Sequence, residues 1–212
     1  MLVDEFLDLC RTTVWKQLEH LDDFDGIGYL NQAMVQLYKK FDINKQEQVI
    51  SLITGTTTYT LNADYLIWVS AKTTQNYLRD FQGNIIIGGD AAKKVNIPVN
   101  DPTDPNAMVI NTVRTAKFQY PTTGQDIDFL YRAAPVKILA EDGNQELILE
   151  PQYIEPLMHY VGYLGYLGLN VIGGESDSLL AQFNLACSLI IQDGIAPHEQ
   201  YENTKLNDRG FV

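Results

Sequence analysis

The residues with the most distinctive chemistry in this sequence are three histidines and two cysteines. His20, His159 and His198 form no local ligand set, and the sequence contains neither HExxH nor CxxC. Cys10 and Cys187 lie far apart, outside any pairing motif and not beside a histidine in the chain. These residue types therefore point to no metal site, no disulfide framework and no activated cysteine.

One acidic cluster imitates a calcium-binding loop but lacks its essential ligands. Aligning Gly26 with the invariant glycine of an EF-hand places Asp23 and Asp25 at the third and fifth loop positions. The first position is then Leu21 and the last is Gln32, and neither supplies the carboxylate that calcium requires there. We therefore interpret these acids as the start of a helix, where carboxylates complement the helix dipole.

Hydrolytic chemistry is not marked by specific residues either. The sequence contains no GxSxG or SxxK, and its double glycines at 88–89 and 173–174 are typical of turns. The 27 acidic residues leave open a carboxylate pair of the kind that cleaves glycosidic bonds, because the sequence does not fix their distances in space. We therefore expect no catalytic, cofactor-binding or metal-binding residue.

The composition is that of an acidic globular protein. Its 212 residues include 15 Lys and Arg against 27 Asp and Glu, which gives a formal net charge of −12. Such a charge argues against a protein that grips DNA or anionic lipid. Acids near the N-terminus argue against a secretion signal. The apolar stretch 156–174 has no positive flank, and we expect it to be a buried helix rather than a membrane span.

Hydrophobic periodicity divides the chain into two helical ends and a β-rich middle. Apolar residues at helical spacing predict helices over 3–21 and 30–41, a third from Pro156 and a fourth after the next glycine-rich break. We therefore expect an α+β fold, in which the N- and C-terminal helix pairs form a bundle with an inserted β-rich domain and an extended C-terminal tail. The predicted segments are 1–47 and 151–195 for the bundle, 48–150 for the insertion and 196–212 for the tail.

The third predicted helix carries a repeat of glycine and tyrosine. At the helical period, three-residue steps give a stripe of small residues beside a stripe of tyrosines. Each glycine costs about 1 kcal/mol relative to alanine inside a helix, so close approach of another helix is expected to compensate for it. That helix belongs either to the same bundle or to an identical subunit. For a subunit interface, the candidate residues are Gly162, Tyr163, Gly165, Tyr166 and Gly168.

Four motifs follow one another along the chain in a characteristic order. They are Leu30-Asn31-Gln32-Ala33, the stretch from Gly55 through Tyr59-Thr60-Leu61-Asn62-Ala63-Asp64, the stretch from Tyr131 to Pro135, and Pro151 or Pro156 before a long apolar helix. Over about residues 1–195, this order resembles the head-to-tail adaptor proteins of short-tailed bacteriophages, the family of tail tubular protein A and the P22-type tail accessory factor. Asn62-Ala63 departs from the family pattern, which prefers a proline before the acidic residue.

The resemblance implies a structural virion protein at the head-tail junction, assembled in the host cytoplasm. It implies a homo-oligomeric, dodecameric ring that joins the portal protein to the tail nozzle protein. Viral double-stranded DNA would pass through the lumen without specific binding, and an acidic lining would suit this passage because it repels phosphate. No enzyme activity, cofactor or membrane is implied.

A C-terminal tail that docks onto the portal is also implied by the resemblance. The candidate docking residues are Tyr201, Lys205, Arg209, Phe211 and Val212. The alternative function is a phage cell-wall (peptidoglycan) hydrolase associated with the tail, since some relatives of these adaptors have been credited with that activity. This alternative would need two carboxylates about 5–10 Å apart in a groove.

Overall fold

The chain folds into two compact units. The helical unit contains Met1–Asp42 and Val136–Val212, and the β unit contains Ile43–Pro135. Helices together with antiparallel sheets confirm the predicted α+β class. The predicted tail, 196–212, lies outside the described residues. The computed structural model describes residues 1–16, 18, 23–86, 93–111, 114–139, 145–170 and 173–193.

The helical unit is built from four helices in the part of the chain that is described. They are α1 (Val3–Thr13), α2 (Asp23–Lys40), α3 (Ile154–Gly168) and α4 (Glu175–Gln192). A single 3₁₀ turn, Pro151–Tyr153, leads directly into α3, and α3 packs against each of the other three helices. Apolar residues at helical spacing fill the core, among them Phe6, Leu7, Leu30, Leu37, Leu157 and Val161.

The first helix is shorter than its periodicity predicts. It ends at Thr13 rather than near residue 21, and the amide of Trp15 donates a hydrogen bond to the carbonyl of Cys10 beyond the last turn. Trp15 itself is only 3% exposed. Trp15 therefore continues the core but not the helix. The third helix begins at Ile154, so that Pro156 lies inside its first turn.

The β unit contains two antiparallel sheets within its described residues. The four-stranded sheet has the order β1-β7-β3-β4, and the three-stranded sheet has the order β2-β6-β5. Alternate residues of β7 are buried, as the two-residue period of a strand requires, and they join one core with residues of both sheets. The strands are β1 (Lys45–Ser51), β2 (Thr58–Thr60), β3 (Tyr65–Thr74), β4 (Lys94–Asn96), β5 (Met108–Asn111), β6 (Thr115–Phe118) and β7 (Asp126–Ala133).

Candidate functional site

The second and third sequence motifs meet at the hydroxyl of Tyr131. This hydroxyl donates a hydrogen bond to Oδ1 of Asp64 (2.9 Å) and accepts one from Nδ2 of Asn62 (2.8 Å). The Asp64 carbonyl also accepts a hydrogen bond from the amide of Ala134 (2.7 Å). Burial, together with the neighbouring Asp64 carboxylate, raises the pKa of Tyr131. The phenol therefore remains a protonated donor, and Asn62, which departs from the family pattern, supplies its second partner.

The start of the second motif forms a turn held by a tyrosine. Gly55 has a φ of +89°, in the left-handed region that glycine adopts without strain. The hydroxyl of Tyr59 accepts a hydrogen bond from the amide of Ile53 (2.8 Å), and its ring lies edge-on against Phe118 with the centroids 5.6 Å apart. These motif residues therefore shape the β unit.

The first motif joins α2 to the segment that follows the β unit in the chain. The side-chain amide of Asn31 donates to the carbonyl of Ile138 (2.9 Å) and accepts from the amide of Ile138 (2.8 Å). Its motif neighbours Leu30 and Ala33 are fully buried. One asparagine thus pairs with both polar backbone groups of a residue in an extended segment, which would otherwise lack these partners.

The glycines of α3 face side chains of the same chain. A Cβ atom added at Gly162 would lie 2.8 Å from Cβ of Val14 and 3.1 Å from Cδ1 of Leu179. A Cβ at Gly165 would overlap the indole nitrogen of Trp15 and lie 3.1 Å from its Cδ1. Such separations are too short for carbon atoms in contact. The absence of a side chain at these two positions is therefore required for packing within the helical unit.

The third glycine is exposed, but it also faces a side chain of the same chain. A Cβ at Gly168 would overlap the hydroxyl group of Tyr29 on α2. All three glycines consequently permit the close approach that was predicted within one bundle. Tyr163, between them in sequence, is half-buried, and its ring lies 5.6 Å from that of Tyr160. A subunit interface along this helix stays a prediction.

Tyr166 connects the last two helices. Its hydroxyl donates a hydrogen bond to Oε2 of Glu175 (2.6 Å), in the first turn of α4. Burial, with this carboxylate as a further cause, raises the pKa of Tyr166 to about 12. The phenol is therefore a protonated donor over the whole physiological pH range.

Comparison with known protein families covers almost the entire chain. Residues 2–194 match the family described as SU10 adaptor protein. The chain belongs to this family. It is accordingly a structural adaptor protein of a bacteriophage and a component of the virion. The predicted resemblance to phage adaptors is confirmed at this level, with the SU10 adaptor family as the match. No curated protein matches the chain.

The described residues bear on several other predicted features of the adaptor. The five candidate portal-docking residues (201–212) lie outside them. Within the described ranges, no three histidine, cysteine or acidic side chains group as metal ligands would. None of the helices in that part of the chain is both long and apolar enough to cross a bilayer. Residues 156–168 of the stretch predicted as a buried helix lie in α3, whose buried residues include Leu157 and Val161, and the helix ends at Gly168 rather than near 174.

A groove lies between α3 and α4, and the hydrophobic periodicity of the sequence did not predict it. Two clefts, of about 390 and 480 Å³, adjoin at His159 and Gln182, which line both, and we call the two together the groove. The first cleft is also lined by Thr13, Val14 and Lys16. Leu185 and Leu189 line the second cleft and are 61% and 48% exposed. The sequence signal for this surface was the four-residue spacing of the two leucines. The same spacing is also typical of a buried helix face. Both leucines instead face solvent.

Proposed function

We propose that this adaptor joins the portal protein to the tail nozzle protein at the head-tail junction. The observation that carries the proposal is the family match over residues 2–194. The motif residues support it, because each has a defined role in the fold. Asn31 holds an extended segment of the helical unit, and Tyr131 links two parts of the β unit.

The assembled form in this proposal is a dodecameric ring with the viral DNA in its lumen. The formal net charge of −12 supports it. Carboxylates around a lumen repel the phosphate backbone and offer few cations to replace its counterions. DNA would therefore pass through such a ring without being held.

Lateral contacts in the ring are proposed to involve the tyrosine side of α3. The space at Gly162 and Gly165 is filled by the chain's own residues, and Tyr166 is buried against Glu175, so Tyr163 is the remaining candidate tyrosine. Tyr163 is half-buried in the single chain and retains surface for a neighbour. Amphipathic aromatic side chains are enriched in protein interfaces.

Docking onto the portal is proposed to use the C-terminal segment. Its candidate residues combine two cations with aromatic and apolar side chains, a composition suited to an anchor that inserts into a partner. Binding of the full chain to its purified portal ring tests this, with a variant that lacks residues 200–212. We expect the shortened chain to keep its circular dichroism spectrum and to lose portal binding.

The matched control for portal docking is a substitution inside the same segment. Phe211→Ser is expected to weaken portal binding, while Asn207→Ala, which is not a docking candidate, should leave it unchanged. Unaltered binding by the shortened chain would contradict the docking proposal. Zymography on peptidoglycan tests the alternative function. A lytic band that disappears on a single Glu or Asp substitution would favour the hydrolase.

A further inference from the structure

The groove between α3 and α4 has the properties of a docking site for a short extended segment. Its floor contains Pro156 and Ala186, and Leu185 and Leu189 present apolar surface at its side. Polar groups stand along its length, with His159 and the amide of Gln182 where the two clefts join. An open groove that combines apolar surface with convergent polar groups is typical of peptide recognition.

We propose that this groove binds residues 194–212 of the same chain in the free protein. The chain leaves α4 at Asp193, and Asp193 lines the end of the groove. The next residues include Gly194 and Pro197, which favour a reversal of chain direction. The segment therefore begins beside the groove and needs only one turn to enter it.

The length of this segment is sufficient to fill the groove. From Glu175 to Asp193 the groove follows α4 for about 27 Å at the helical rise of 1.5 Å per residue. Extended chain covers that distance with about eight residues. Residues 194–212 therefore reach both clefts after the turn, with chain to spare.

The side chains of the segment complement those of the groove. Lys205 and Arg209 are the sole Lys or Arg residues after Lys137, and the acids Glu155, Glu175 and Asp193 line the two clefts. The single cation that lines either cleft, among the residues described, is Lys16, a partner for the acids of the segment. Apolar side chains that can cover Leu185 and Leu189 are Ile195, Tyr201, Leu206, Phe211 and Val212.

Binding within one chain is favoured over binding to a second copy by proximity. A segment joined to the groove by a short linker has an effective concentration in the millimolar range. At micromolar protein concentrations, a segment from another copy cannot compete with it. The groove would thus hold, in the free protein, the same residues that are proposed to dock onto the portal.

Photo-crosslinking of the full-length free chain, without portal, tests this inference. A benzoylphenylalanine photo-crosslinker replaces Tyr201 in one preparation and Phe211 in another, and mass spectrometry maps the products. We expect crosslinks to the peptides that contain Met158, Leu185 and Leu189. An equal mixture of ¹⁴N and ¹⁵N chains should give linked peptides of one isotope only, because donor and acceptor belong to one molecule.

Two variants of α4 provide the matched comparison. The double substitution Leu185→Ser and Leu189→Ser should lower the crosslink yield by about threefold or more, because apolar surface for the segment is lost. Ile191→Ser should leave the yield unchanged, since Ile191 is similarly exposed (40%) but does not line the groove. Circular dichroism verifies the fold of each variant.

Three results would overturn the inference. Linked peptides of mixed isotope would place the segment in the groove of a neighbouring copy. Crosslinks confined to the β unit, or none at all, would show that the groove is not the site. A crosslink yield that the double substitution leaves unchanged would show that Leu185 and Leu189 do not contribute to binding of the segment. Because portal is absent from the experiment, none of these results decides the proposed portal docking.

Discussion

The packing of Trp15 against α3 predicts a specific stability change for Gly165→Ala. The indole ring lies between two helices. Gly165 of α3 faces its nitrogen side, and a Cβ at Gly26 of α2 would lie 3.5 Å from Cη2 at its far end. Trp15 is 3% exposed, so the ring is packed by protein atoms on nearly all sides. A methyl group at Gly165 must therefore displace a helix or distort the ring's rotamer.

The expected magnitude is the difference of two terms. Alanine gains about 1 kcal/mol of helix propensity over glycine, and overpacking of a buried site costs about 1–3 kcal/mol. Because the added Cβ would overlap the indole nitrogen, the overpacking cost lies in the upper part of that range, at about 2–3 kcal/mol. We therefore expect a net destabilisation of about 1–2 kcal/mol, or a decrease in Tm of about 2–8 °C for a chain of this size. Gly28→Ala is the matched control. Gly28 likewise lies inside a helix, α2, but it has open space where its Cβ would be. The Gly28→Ala chain should be more stable than the wild type by up to about 1 kcal/mol.

Urea unfolding followed by circular dichroism at 222 nm measures both variants, since the helical unit dominates that signal. A Gly165→Ala chain at least as stable as the wild type would refute the packing of Trp15 against Gly165 as the reason for the glycine. If such a chain also failed to assemble, the glycine face would belong to a subunit interface. Helix propensity alone would stabilise both variants. A loss of stability at Gly165 together with a gain at Gly28 therefore requires the packing difference as its cause.

Three further predictions concern single side chains. Asn31→Ala should cost about 1–3 kcal/mol in urea unfolding, because it leaves two backbone groups unpaired, whereas the neighbouring exposed Gln32→Ala should change little. Tyr166 has a folded pKa of about 12 against an ordinary value of 10.0, so stability should fall as pH rises through that window, and less steeply in Tyr166→Phe. Burial raises the thiol pKa of Cys10 to about 12 and of Cys187 to about 11, so at pH 8 both should react with Ellman's reagent much more slowly in the native chain than in urea.

Local patterns predicted well where one physical requirement dominated. The apolar positions of α2 repeat without interruption, and the observed helix contains the whole predicted range of 30–41 except its last residue. The β-branched middle of the chain forms strands, as expected for side chains that suit a pleated surface. The order of the motifs predicted the phage adaptor family, because each motif holds a fixed part of the fold.

Tertiary packing determined what the sequence could not predict. The apolar spacing that continues after Thr13 is compatible with a longer helix, but Trp15 instead leaves the helix to fill the space against Gly165. A stripe of glycines has the same spacing whether its partner is in the same chain or in another. Exposure of Leu185 and Leu189 depends on what covers α4, and periodicity carries no information about that.

The particle mass of the purified full-length chain, alone and mixed with its portal ring, tests the head-to-tail adaptor proposal most directly. Native mass spectrometry or mass photometry resolves the bound copy number. We predict a complex whose added mass equals a dodecamer of this chain on each portal ring. A portal ring whose mass does not change, at chain concentrations well above those of the portal, would contradict the proposal.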